Sequence, residues 1–150
     1  MVQHGVGVNL YQTSEDRENE ELIASAMTKK FGGSFKKIPY TYGLDYLWMR
    51  GDKPSRWIEI KKMNNAWSEH DQFMFSLHKI QCANTLFDST NFKSFLIVWW
   101  TDRVGLTPIS NLVCGEDFKL GYYGRADRLE EPQVYIDRTK FKTLELQLDG

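Results

Sequence analysis

The sequence is poor in soft metal-binding side chains. Its 150 residues include two cysteines, Cys82 and Cys114, and three histidines, His4, His70 and His78. They form no CxxC pair and no zinc-type histidine spacing, which argues against a zinc module or a disulfide framework and for a thiol-reducing compartment. Nor is one sign of charge in excess: 19 Lys and Arg face 20 Asp and Glu, a net charge of -1. That balance offers no global positive field and disfavours a passive polyanion binder. No window approaches ~18 consecutive apolar residues, and residues 1–11 have no charged region followed by an apolar stretch. The expectation is a cytoplasmic protein with no membrane partner. Internal repeats and low-complexity linkers are also missing, so residues 1–150 are expected to form a single domain. At 41% hydrophobic, a chain of this length can bury a core without metals or disulfides.

Aromatic residues are the one excess, at 14% with five tryptophans, and suit strands and a small core. Charge is also unevenly placed. Residues 15–21 hold five acids and one base, whereas residues 29–62 hold nine bases and three acids, Asp45, Asp52 and Glu59. Isolated acids in a basic segment call for an explanation that a solvated face does not supply.

Ser14 can cap a helix with an acidic first turn, favoured at the positive end of the helix dipole, and Gly32-Gly33 end it. Ile23, Ala24, Met27 and Phe31 recur along it at helical spacing, and one turn back the same face passes through Glu20, with Glu18 as its nearest rival. Strand-like stretches follow at 34–40, 42–50 and 55–62, the last two separated by the turn composition Gly51-Asp52-Lys53-Pro54. A second helix is expected from an Asp71 cap, with Phe73, Leu77, Ile80 and Phe87 on one face. The apolar run 95–100 suits a strand buried on both faces. A weaker β region at 106–113, a short strand at 134–136 and an amphipathic turn with Phe141 and Leu144 close the chain. The order α-β-β-β-α-β-β gives an α/β class with a mixed β-sheet flanked by helices.

Residues two apart in a strand face the same way, so Glu59 and Lys61 project together. With Asp45 across from Glu59, two carboxylates and an amine converge. Such hard oxygen ligands, helped by a backbone carbonyl such as that of Ile60 and by waters, suit octahedral Mg2+. Thirteen residues separate Asp45 from Glu59, so a common face requires an odd-residue turn or a bulge; a two-residue loop with regular pairing puts them on opposite faces. Acid-x-Lys alone discriminates little, because Glu59-Ile60-Lys61 recurs as Asp117-Phe118-Lys119. The first copy adds an aspartate one strand earlier, the apolar neighbours Trp57, Ile58 and Ile60, and an acid, Glu20, on an apolar helix face that is costly to bury unpartnered.

These motifs together resemble the PD-(D/E)XK nuclease superfamily, and within it small phage-encoded nuclease-like proteins. The resemblance runs through Asn19-Glu20-Glu21-Leu22-Ile23, Tyr42-Gly43-Leu44-Asp45-Tyr46, Met49-Arg50-Gly51-Asp52 and Ile58-Glu59-Ile60-Lys61. It continues through Phe75-Ser76-Leu77-His78-Lys79, the strand at 96–102, and Val134-Tyr135-Ile136 with Phe141. Tyr42-Gly43-Leu44 stands where a proline often precedes the aspartate, and Lys62-Met63 departs from the lysine-plus-polar continuation. The resemblance implies a restriction-endonuclease-like fold and a Mg2+-dependent DNA endonuclease, Mn2+ substituting; branched or processing-intermediate DNA in phage replication or recombination is one candidate substrate, with nicked duplex, free ends and RNA left open by the sequence. Asp45 and Glu59 are then metal ligands, Lys61 the catalytic lysine and Glu20 a helix acid acting at the metal through water. Lys36, Lys37, Lys62 and Lys79 are candidate contacts to DNA. Junction cleavage requires two sites and therefore a homodimer. The alternative is a catalytically silent nucleic-acid-binding or phage-host interaction module on the same fold.

Overall fold

The computed structural model describes residues 14–39, 42–125 and 128–148. The N-terminal segment read above for a leader and Tyr40, the end of the first expected strand, lie outside the described residues. Helix α1, Ser14–Phe31, begins with Glu15 and Asp16 and ends with Lys29 and Lys30, each charge set at the end of the helix dipole that favours it. Its stripe buries Ile23 and Met27 against Tyr46, Trp48, Ile58, Ile60, Ile97 and Val104. Glu20, one turn earlier, is buried with them, whereas Glu18 is exposed.

Three antiparallel strands follow: β1 (Ser34–Lys37), β2 (Tyr46–Arg50) and β3 (Lys53–Lys62). The chain then departs from the expected order. Gln72–Ser76 is a strand, β4, and α2 starts only at Leu77, running to Thr90. Asp71 does not cap it; the Ser76 hydroxyl accepts from the His78 N–H. Phe73 and Leu77 fit a helical spacing, but Phe73 and Phe75 are buried while Gln72 and Met74 are exposed. That period-2 alternation is satisfied by pairing with a strand that presents Ile136 and Val134 opposite them.

The apolar run becomes β5 (Ser94–Trp99), followed by β6 (Val104–Pro108), β7 (Lys119–Arg125), β8 (Arg128–Asp137) and β9 (Lys142–Leu144). The main sheet has the order β1-β2-β3-β5-β6-β9, mixed because β3 and β5 are parallel. A second sheet, β4-β8-β7, is antiparallel. The 134–136 strand is therefore longer than expected, and the terminal turn instead adds an edge strand. Pro132 in β8 lies beyond the reach of β4, where only β7 adjoins, which is where a strand tolerates a missing N–H.

The main sheet is covered on both faces. One face packs α1; the other joins Trp57, Leu96, Val98 and Trp100 to Ile80 and Ala83 of α2 and to Phe73, Phe75, Val134 and Ile136 of the second sheet. Central β5 sends Leu96 and Val98 to one core and Ile97 to the other, all with no exposed surface. Among the described residues no helix is long and apolar enough to cross a membrane.

Candidate active site

The site is built where β2 and β3 part. Arg50 pairs with Lys53 across a two-residue loop, Gly51-Asp52, and Met49 with Pro54. Gly51 has φ +65°, as the first loop position of a type II′ turn asks. Regular pairing from there would set Asp45 and Glu59 on opposite faces. The register shifts between Trp48 and Met49, so that Trp48 pairs with Arg56, Leu47 with Trp57 and Tyr46 with Ile58. One extra residue in β3, Ser55, makes the bulge, and the ladder ends at Tyr46 and Ile58, with Asp45 and Glu59 the next residue on each side. The Asp45 N–H donates to Ile58 O at 3.1 Å.

Beyond Tyr46 the backbone ladder ends and side chains take over. Asp45 Oδ2 accepts the Ile60 N–H at 2.9 Å, which fixes the carboxylate against β3. A strand residue directs its N–H and C=O to the same side, so the Ile60 carbonyl also points to the Asp45 side. Lys61, exposed, shares the face of Glu59 two residues on.

The remaining groups arrive from three other elements. Lys37 at the end of β1 donates to Glu20 Oε1 at 2.9 Å and stands 3.7 Å from Asp45 Oδ1. Lys79 in the first turn of α2 donates to Gly43 O at 2.6 Å and lies 3.4 Å from Glu59 Oε2. Gly43, with φ +85°, packs so closely on α2 that an added Cβ would stand 2.3 Å from Cys82 Sγ. Helix α2 thus clamps the loop that carries Asp45. Tyr46 hydrogen-bonds Glu20, and burial, followed by the carboxylates of Glu20 and Asp45, holds its hydroxyl well above the ordinary range.

Glu59 is the electrostatic centre. It is 3% exposed, and its Oε1 is buried with no hydrogen-bond partner among the described residues. Burial pushes its pKa up to about 8, and the Asp45 carboxylate adds to that push against the pull of Lys79 and Lys61. With Lys37 at Asp45 and Lys79 at Glu59 Oε2, the oxygen still to be satisfied is Glu59 Oε1, beside a main-chain carbonyl, where a hard cation would bind. The donor set therefore fits a divalent ion of the magnesium class. Among the described residues no three His, Cys, Asp or Glu side chains are gathered for a metal, so the carboxylate part of the site is the Asp45–Glu59 pair, with Glu20 engaged by Lys37.

Of the lysines expected at DNA, Lys36 and Lys37 are exposed on β1, Lys37 with its ammonium at Glu20 and Asp45, whereas Lys79 is partly buried with its ammonium at Glu59. Lys62 donates to Met63 O at 2.6 Å and lies 4.9 Å over the Trp99 ring, on the opposite face from Lys61. The sequence names Lys37 and Lys79 as DNA contacts but not as counter-ions of the site carboxylates. Lys37 had a signal, standing opposite Tyr46 beside Asp45 once the meander is in register. Lys79 had none, because only the β3-to-β5 crossover brings α2 over Glu59.

A mixed sheet with a bulged β2–β3 hairpin presenting two acids and a lysine, and an acid-bearing helix behind it, defines a restriction-endonuclease-like protein. The chain belongs to the family described as phage putative PDDEXK endonuclease, whose family model matches residues 8–144. Among solved structures it is similar to Hjc, a Holliday junction resolvase from the archaeal hyperthermophile Archaeoglobus fulgidus, with a TM-score of 0.56 at 13% identity. The similarity covers 89% of this chain and 92% of that one and speaks for the fold. No curated protein matches the chain.

Proposed function

We propose that this protein is a divalent-metal-dependent DNA endonuclease with Asp45, Glu59 and the Ile60 carbonyl as ligands, Lys61 as the catalytic lysine and Glu20 as an accessory acid. The observation that carries the reading is the proximity of the Asp45 and Glu59 carboxyls just beyond the Tyr46–Ile58 pair, with Glu59 Oε1 buried and unpartnered among the described residues. Mg2+, or Mn2+ in its place, supplies when bound Lewis-acid stabilisation of the phosphate and a water acidic enough to attack near neutral pH. The chain does the positioning. The Ile60 N–H fixes one Asp45 oxygen, and Lys79 holds one Glu59 oxygen, which leaves the other for the ion. The exposed Lys61 ammonium, on the same face, holds the attacking water or offsets charge developing on the phosphate. Lys37 bridges Glu20 and Asp45, and Glu20 orders water from the α1 side.

DNA is the substrate class the family supports, and the resolvase name of the structural relative makes four-way junctions the first branched substrate to assay. Junction cleavage by paired incisions would require a homodimer. The test is Mg2+- or Mn2+-dependent cleavage of junction, nicked and duplex DNA. It is expected to disappear in Asp45→Ala and Lys61→Ala proteins whose folding is unchanged; activity retained in both overturns the reading. One observation favours a catalytically silent binding module instead: Lys37 and Lys79 already partner three carboxylates without a metal. Calorimetry decides between the two, because a silent module binds no Mn2+ and cuts none of these substrates.

A further inference from the structure

A groove of about 770 Å3 opens beside the end of β3. Its floor includes Met63, Phe73 and Trp100, and its walls carry the amides of Asn64, Asn65 and Gln72. Met63 N–H donates to Trp99 O at 2.8 Å, so extended pairing runs one residue past β3. Glu59, Lys61 and Met63 therefore follow one another along a single face of the sheet. Lys62 and Met63 line the near end of the groove, Met63 about 7 Å from Lys61, two residues of extended chain away.

Three features point to a ligand. The Asn65 Oδ1 is buried with no hydrogen-bond partner among the described residues, which is costly unless something enters to satisfy it. The loop around it is held rigid: Trp67 donates from its ring to Arg138 O and from its backbone to Asp102 Oδ1, and the guanidinium groups of Arg103 and Arg138 lie 4.0 and 4.8 Å over its ring. An apolar, aromatic floor beneath carboxamide walls matches the chemistry of a nucleobase, whose faces stack and whose edges present donors and acceptors.

We propose that this groove receives an unpaired base of the strand cut at the Asp45–Glu59 site, so that the preferred DNA has single-stranded character next to the scissile phosphate. The inference rests on the endonuclease reading for the identity of that strand. Asn65 supplies the buried acceptor, Gln72 a second edge contact, and Phe73 and Trp100 the apolar floor.

Labelled single strands of roughly ten nucleotides, within the usual site size of single-strand binders, are titrated by fluorescence anisotropy into the intact chain with Ca2+ replacing Mg2+, alongside the matching duplex. The wild type is expected to favour the single strand. Asn65→Ala, which breaks no side-chain hydrogen bond among the described residues, and Gln72→Ala, at an exposed position, each weaken single-strand binding about tenfold, the scale of one base-edge contact. Asn64→Trp, also at an exposed position, fills the groove and has the same effect. Duplex and Mn2+ affinities stay at wild-type values. Variants that bind single strands like the wild type, or that lose duplex binding in parallel, overturn the proposal. Cleavage with Mg2+ is read on the same proteins. The expected binding pattern without any cleavage supports the groove and removes the endonuclease reading. Cleavage with no effect of the groove variants on binding removes the groove alone.

Discussion

Replacing Glu59 by glutamine in the metal-free protein should reverse the way stability responds to pH at this site. In the unfolded chain the carboxyl titrates at its ordinary value of 4.5; in the folded protein burial and Asp45 push it up to about 8. Between those values the folded state holds a proton that the unfolded state has lost, so stability falls as pH rises, opposite to a salt-bridged carboxylate. At about 1.36 kcal/mol per pH unit, the penalty is absent below pH 4.5, reaches about 3 kcal/mol at pH 7, and levels off near 5 kcal/mol above pH 8. Glutamine carries no such titration. Urea unfolding in EDTA from pH 5 to 9 should give two curves that nearly meet at pH 5 and diverge by several kcal/mol at pH 9, with Glu59→Gln the more stable. Mn2+ should recover much of the wild-type loss, because it binds the ionised form of the folded state alone. Parallel curves for the two proteins would refute the electrostatic account of Glu59.

Strand alternation separates two adjacent lysines: Lys61→Ala should lower kcat at least about 100-fold, the scale of losing one charge-stabilising donor, whereas Lys62→Ala, spent on Met63 O and Trp99, should leave cleavage within a few-fold in the same assay. Gly43→Ala meets both a left-handed φ and Cys82 Sγ, and should cost roughly 2–4 kcal/mol in thermal unfolding; adding Cys82→Ala should return the packing part and leave the backbone part. Leu96→Ala, in the centre of β5 with no exposed surface, should cost about 2–5 kcal/mol in urea unfolding, while Mn2+ affinity measured on the folded protein holds.

Where local pattern and tertiary demand agree, the sequence is a reliable guide. The apolar run at β5 needs a strand buried on both faces, and the acidic opening and basic close of α1 suit one helix direction only. The Asp45–Glu59 pairing was legible as a condition: a bulge or an odd turn had to exist, and the chain meets it at Ser55. The residues around Phe73 were ambiguous because Phe73, Leu77 and Ile80 fit a helical face while Phe73 and Phe75 fit a strand. The decision belongs to β8, some 60 residues away, and so to a contact that no local window contains. β7 and the second sheet escaped notice for the same reason, and so did the pairing of Lys79 with Glu59. That pairing depends on a crossover that lays the first turn of α2 over Glu59. Glu20, by contrast, could be separated from Glu18 by helical phase, since only Glu20 continues the stripe of Ile23 and Met27.

Anomalous diffraction from crystals of the protein soaked in Mn2+ addresses the central claim most directly. The account predicts one strong peak in contact with both the Asp45 and the Glu59 carboxylates, on the side to which the Ile60 carbonyl points, lost in Glu59→Gln crystals. An ion bound elsewhere, or no ion at a concentration that supports DNA cleavage, would contradict it.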